Sequence, residues 1–147
     1  VDGAELVVET LNYLKSDDFK REKQTDKQNQ TLQHAPKIFK EDCRIEWDLT
    51  AQVIHNKTRG LSPYPGAWCK LKSKGATLQF KLFSSFLTDI IPAPGNTNLR
   101  ATENGILFPC KDLFILIDEL QMEGKRRMNF KEFLAGNKIE DFALIQE

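Results

Sequence analysis

The sequence predicts a mainly β protein: a small antiparallel β-barrel flanked by short helices and preceded by a polar linker and an isolated helix. From Ala67 onward, apolar and polar residues alternate in short runs separated by turn-forming residues, the pattern of half-buried strands. Only short stretches show a helical period. At 147 residues the chain can build one ordinary core with an appendage, and it is too short for two full domains of typical size.

The elements follow in order. Ala4 to Leu14 places Ala4, Val7, Val8, Leu11 and Leu14 on one helical face, with Asp2 and Glu5 as a capping pair. Lys15 to Gln33 then turns strongly polar, with almost nothing to bury, and reads as a linker. An apolar helical face cut off by a linker needs a partner surface that the rest of the chain does not offer. The sequence is therefore divided into residues 1–16, the end of another domain, 17–36, a linker, and 37–147, the barrel. Val1-Asp2-Gly3-Ala4-Glu5 has neither an initiator Met nor the basic and apolar regions of a secretory signal, and is read as the start of a cut-out piece.

A second helix is expected over Leu49 to Arg59, opened by Asp48 and closed by Gly60, with Ala51, Ile54, Thr58 and Leu61 facing the core. Ser62-Pro63-Tyr64-Pro65-Gly66 makes a non-helical corner, because two prolines fix φ and remove two donors. Strands are expected over Ala67–Lys72 and Thr77–Thr88, joined by Ser73-Lys74-Gly75-Ala76 as a hairpin, and near 97–102, 105–110 and 113–121. A short helix over Asn129–Leu134, stopped by Gly136, closes the pattern.

Composition excludes several classes. With 40% hydrophobic and 29% charged residues the chain has the make-up of a globular protein, and no apolar run is long enough to span a bilayer. Cys43, Cys69 and Cys110 are odd in number and lack C-x-x-C spacing, which argues against a disulfide framework or zinc site and for a reducing compartment. His34 and His55 stand in no metal or triad spacing and read as solvated or packed. No Walker or Rossmann glycine loop occurs, and Asp17-Asp18 and Glu41-Asp42 are sequence-adjacent pairs in polar surroundings. Nothing in this inventory activates a substrate.

Net charge is zero, so overall basicity does not announce a nucleic-acid partner. The distribution is more informative: no acid lies between Asp48 and Asp89, a stretch that holds Lys57, Arg59, Lys70, Lys72, Lys74 and Lys81. Segregated charge makes a local positive field to which a polyanion responds. Lysines on strand edges that only discourage aggregation would give the same pattern.

Five blocks carry a family resemblance. Gln30-Thr31-Leu32-Gln33-His34-Ala35-Pro36-Lys37-Ile38 is followed by Ile45-Glu46-Trp47 and by Arg59-Gly60-Leu61-Ser62-Pro63-Tyr64-Pro65-Gly66-Ala67-Trp68; further on come Leu120 to Met128 and Glu132-Phe133-Leu134-Ala135-Gly136. In this order they resemble the C-terminal half of methionyl-tRNA formyltransferases. Gly3 to Leu11 looks like the last helix of that family's catalytic domain. Thr58 departs from the family pattern, which more often has an aliphatic residue there.

The resemblance implies an oligonucleotide-binding-like barrel that helps hold initiator methionyl-tRNA for a catalytic N-terminal domain absent from this sequence. That domain would use 10-formyltetrahydrofolate; this chain is expected to hold no cofactor, metal or catalytic residue and to be inactive alone. A bacterial, cytoplasmic setting is implied, with an organelle as the other option. Candidate tRNA contacts are Lys37 and Lys40 at the linker exit, Arg59, Lys70, Lys72, Lys74 and Lys81 in and around the first hairpin, and Lys125, Arg126 and Arg127 in the late turn. Arg59 could instead serve its helix end and a local carboxylate. Tyr64 and Trp68 are either stacking platforms or packing residues. The competing reading is a structural domain with no tRNA affinity, from a related formyltransferase that acts on a small molecule such as an amino sugar.

Overall fold

The structure is a computed structural model that describes residues 2–16, 19–20 and 35–145. By backbone contacts it divides into residues 1–36 and 37–147. In the first unit, helix α1 spans Asp2–Leu14, and Leu6, Val7, Val8, Leu11 and Leu14 are all exposed. Most of the expected linker, 17–18 and 21–34, lies outside the described residues.

The second unit is a curled antiparallel sheet with two helices. Its elements are α2 (Ala51–Leu61), β1 (Ala67–Ser73), β2 (Ala76–Leu87), β3 (Arg100–Ala101), β4 (Ile106–Pro109), β5 (Phe114–Met122), β6 (Met128–Asn129), α3 (Phe130–Gly136) and β7 (Phe142–Leu144). The strand order is β3-β4-β5-β2-β1-β7, with β6 added to β5. The two ends of this order meet where Asn98 bridges Ala143 and the Leu144 N–H donates to the Thr97 carbonyl at 2.9 Å. This contact draws the two ends of the curled sheet together into a small barrel.

Alternation sets the core. Cys69 and Leu71 of β1 and Phe80 and Leu82 of β2 point inward and are buried. Ile115, Ile117 and Leu120 of β5 join them on either side of a bulge at Ser84. Phe80, Phe133 of α3 and Phe142 of β7 meet at ring-centroid distances of 5.4 to 5.8 Å, tying three parts of the chain together.

Helix α2 buries Ala51, Ile54, Thr58 and Leu61, the face read from the sequence. Its bounds differ from the expectation. Asp48 does not cap it: the helix starts at Ala51, whose N–H donates to Asp112 Oδ1, 61 positions away, at 2.8 Å. Gly60 does not end it either. The helix runs through Gly60 to Leu61 and stops because Ser62, ahead of Pro63, is forced into the extended region.

The β1–β2 connection is tighter than expected, since Ser73 and Ala76 are already paired. Lys74 and Gly75 alone form the turn, with φ of 47° and 84°, both positive as a type I′ turn requires. The strand expected over 97–102 shrinks to Arg100–Ala101, and β6 and β7 were not anticipated. The peptide bonds before Pro63 and Pro65 are cis.

Two stability predictions follow. The hydrogen bond from the Ala51 N–H, with further bonds in the Asp112 loop, holds the Asp112 carboxyl below its ordinary value. Its stabilising contribution is present above the unfolded-state pKa near 4 and is lost as pH falls through the lowered folded-state value. Asp112→Ala should cost about 1 kcal/mol at neutral pH, as loss of a helix cap does, and less in acid; urea melts at pH 7 and in the acid range measure both. Thr58 Oγ1 is buried without a hydrogen-bond partner, so Thr58→Val removes an unpaired polar atom from an apolar site. Thermal unfolding should show a gain of about 1 kcal/mol.

Candidate nucleic-acid interface

Strand alternation gives β1 an outer face of Trp68, Lys70 and Lys72, and register places Lys81, Gln79 and Thr77 of β2 opposite them. Lys81 is in turn opposite Gln121 of β5. Lys70, Lys72 and Lys81 thus share one side of the sheet. Lys70 and Lys72 are exposed, with no ion pair among the described residues. Lys81 is half-buried because its ammonium donates to the Pro65 carbonyl at 3.0 Å. This contact fastens the proline corner to the sheet, and Gly66 allows it: a Cβ there would lie 3.3 Å from Lys81 Cδ.

The late basic turn adjoins this face, with the Gln121 amide donating to the Lys125 carbonyl at 2.8 Å. Its two arginines are committed within the fold. Arg127 makes a bidentate pair with Glu119, one bond at 2.6 Å, and lies 4.3 Å from the Phe83 ring centroid. Arg126 pairs with Glu132 at 2.7 Å. The hydrogen bonds to their carboxylates hold both guanidinium groups above their ordinary pKa values. Glu132 also completes the capping box of α3 with Asn129, and the Arg126 hydrogen bond holds its carboxyl down. Lys125 has no ion pair among the described residues.

Lys74, at the hairpin tip, pairs with Asp141 at 2.9 Å. Lys37 lies over Phe39, while Lys40 and Arg44 lie over Trp68. Trp68 is buried and its Nε1 donates to the Lys40 carbonyl at 2.7 Å, so this ring is packing and offers no open platform. Tyr64 is the contrary case, 87% exposed on the proline corner.

Arg59 stands apart from the sheet face. It is exposed, makes no ion pair among the described residues, and lines a cleft with His55, Ser62, Phe83, Ser84 and Ser85. A wider groove of about 1020 Å³ opens where segments 44–48, 91–96, 109–112 and 144–145 converge. Sequence reasoning missed that groove, and its charges are mixed: Arg44 and Lys111 against Glu46, Asp48 and Asp112. The three cysteines are buried and unpaired. Burial pushes the Cys69 and Cys110 thiols up to about 12, far from a reactive thiolate. Among the described residues no group of three or more His, Cys, Asp or Glu side chains could hold a metal.

A small antiparallel barrel with one lysine-bearing outer face has the construction of an oligonucleotide-binding-like accessory domain. The family model for the formyl transferase C-terminal domain matches residues 37–138, and the chain belongs to that family. Among curated relatives, the methionyl-tRNA formyltransferase of Azobacteroides pseudotrichonymphae is 42% identical over 92% of this chain and 43% of its own length. That of Flavobacterium johnsoniae is 34% identical over 97% of this chain and 45% of its own length. The chain therefore spans less than half the length of these relatives. Of solved structures, a HypX variant from Aquifex aeolicus shares the fold with a TM-score of 0.59 at 21% identity, covering 97% of this chain and 26% of HypX.

Proposed function

We propose that this chain is the C-terminal, tRNA-holding part of a methionyl-tRNA formyltransferase. The observation that carries the reading is the identity of 42% and 34%, over more than nine-tenths of the chain, to proteins of that name. In this reading residues 1–16 are the last helix of the catalytic domain, 17–36 the linker and 37–147 the tRNA-binding barrel. The exposed apolar side of α1 suits that assignment. The whole enzyme transfers a formyl group from 10-formyltetrahydrofolate to the amino group of initiator methionyl-tRNA, which places it in translation initiation in the cytoplasm. A HypX structure that holds tetrahydrofolic acid contains a part of the same fold, about a quarter (26%) of its length. No described helix is long and apolar enough to cross a membrane.

The barrel's part is to supply affinity without chemistry. Lys70 and Lys72, exposed on one sheet face, meet backbone phosphates, and Lys125 extends that face; such contacts position a nucleic acid without reading its sequence. Lys37, Lys40, Lys74, Lys81, Arg126 and Arg127 contribute their fields from within internal contacts. In this reading the chain alone does not formylate, because its sequence carries no motif for binding the folate donor or for managing protons at the attacking amine.

A graft tests this. Residues 1–147 replace the matching C-terminal segment of the Flavobacterium johnsoniae relative, and formylation of methionyl-tRNA is followed. The graft should retain kcat/KM within about tenfold of the intact relative, a loss of no more than about 1.4 kcal/mol in transition-state binding. A graft no better than the relative truncated at the same point would refute the assignment, as would turnover by the isolated chain.

A further inference from the structure

The cleft between α2 and the β2 bulge is distinct from the lysine face and has about 270 Å³ of space. His55 and Arg59 are spaced i, i+4 and so share one side of α2, and Ser62 follows directly on its last residue, Leu61. That side faces Phe83, Ser84 and Ser85, where β2 is bulged against β5. His55 Nδ1 lies 2.9 Å from Ser85 Oγ, which fixes the ring and leaves Nε2 for another partner. The cleft thus gathers a guanidinium, an imidazole and three hydroxyls, with no carboxylate among its lining residues.

The local charge balance favours an anion. Glu119, the cross-strand neighbour of Ser84, is held in a bidentate pair by Arg127, whose guanidinium lies over Phe83, itself a lining residue. Asp118, beside Glu119, does not line the cleft. The C-terminal end of α2 opposes an anion with about half a unit of negative charge. Arg59 offsets it with a full unit and a fork of donors that matches phosphate oxygens. Tyr64, two residues beyond Ser62, presents an exposed ring on a corner that Lys81 fastens to the sheet.

We propose that this cleft is a phosphate subsite: Arg59, His55, Ser62 and Ser84 hold one phosphate group, and Tyr64 stacks on the adjoining base. The proposal rests on the tRNA reading for its natural ligand, since an RNA backbone phosphodiester and a free phosphate offer the same oxygens. It gives Arg59 a role that a solvated helix-end arginine lacks.

Two experiments on the full chain separate the sources. Anisotropy with labelled tRNA across a salt series compares wild type with Arg59→Ala, Ser84→Ala and Tyr64→Ala, each checked for an unchanged melt. Arg59→Ala should weaken binding about sixfold at 0.1 M salt and reduce the slope of log affinity against log salt by about 0.7 to 0.9, as one lost phosphate contact does. Tyr64→Ala should lose about tenfold with the slope unchanged. In parallel, NMR of the His55 ring and of the Ser62 and Ser84 amides is followed as inorganic phosphate is added to millimolar concentration, where saturable shifts abolished by Arg59→Ala are expected.

If tRNA binds but Arg59→Ala and Ser84→Ala match wild type, the subsite is overturned and the wider reading stands. If wild type binds no tRNA yet phosphate shifts those resonances, the tRNA reading fails and the subsite stands as a site for free phosphate. Absence of both overturns both.

Discussion

Phe80→Ala is expected to lower the stability of the barrel by about 4 kcal/mol, the cost of truncating a fully enclosed aromatic side chain. Phe80 is 1% exposed and packs edge-on against Phe133 and Phe142, each at 5.8 Å. Its removal leaves a cavity that β2, α3 and β7 all border. Partial collapse cannot fill it, because Phe80 is also fixed in register with Cys69 and Met122. A domain of this size has about 5 to 15 kcal/mol in total, so the variant should melt roughly 15 °C lower. Phe80→Leu, which keeps most of the volume, should cost about 1 to 1.5 kcal/mol. Urea unfolding followed by tryptophan fluorescence measures both. A loss below about 1 kcal/mol for the alanine variant would show that the three aromatics do not belong to one cooperative core.

The second large effect is electrostatic. Lys70→Glu with Lys72→Glu should weaken tRNA binding about 40-fold at 0.1 M salt, since each phosphate contact contributes a slope of about 0.7 to 0.9 in log affinity against log salt. Reversal of charge adds repulsion at low salt. The salt dependence should flatten by about 1.6. Stability should stay within about 0.5 kcal/mol of wild type, because both side chains are exposed and make no ion pair among the described residues. Filter binding over a salt series is sufficient. An unchanged slope would remove these two lysines from the interface whatever the fate of the wider assignment.

How much of this was legible in the sequence depends on how local each determinant is. Alternation over Ala67–Lys72 and through Leu78, Phe80 and Leu82 and the inward face of α2 depend only on near neighbours in the chain, and both are present in the structure, the strand period breaking after Leu82, where Phe83 is buried as well. The start of α2 was misplaced because its cap is Asp112, 61 positions on, and no local pattern encodes that. Strands β6 and β7, of two and three residues, are too short for a period to show, and they exist through their pairing with β5 and β1.

The candidate interface divides in the same way. That Lys70, Lys72 and Lys81 share a face follows from even spacing and hairpin pairing, so it could be read in advance. That Arg126 and Arg127 are tied to Glu132 and Glu119 could not, because those carboxylates reach the turn only through the β5–β6 pairing and the cap of α3. The cleft around His55 gave half a signal. Its helical spacing was visible, and its partner Ser85, 30 residues away, was not.

The central claim is that this barrel holds tRNA through backbone phosphates, and the most direct measurement is the binding of initiator tRNA to the wild-type chain from low to physiological salt. Fluorescence anisotropy should show saturable binding at low salt, with log affinity falling linearly in log salt at a slope of about −2 to −4, as three to five phosphate contacts require. No binding at the lowest salt, or binding indifferent to salt, would contradict the account and favour a structural domain whose lysines only keep it dissolved.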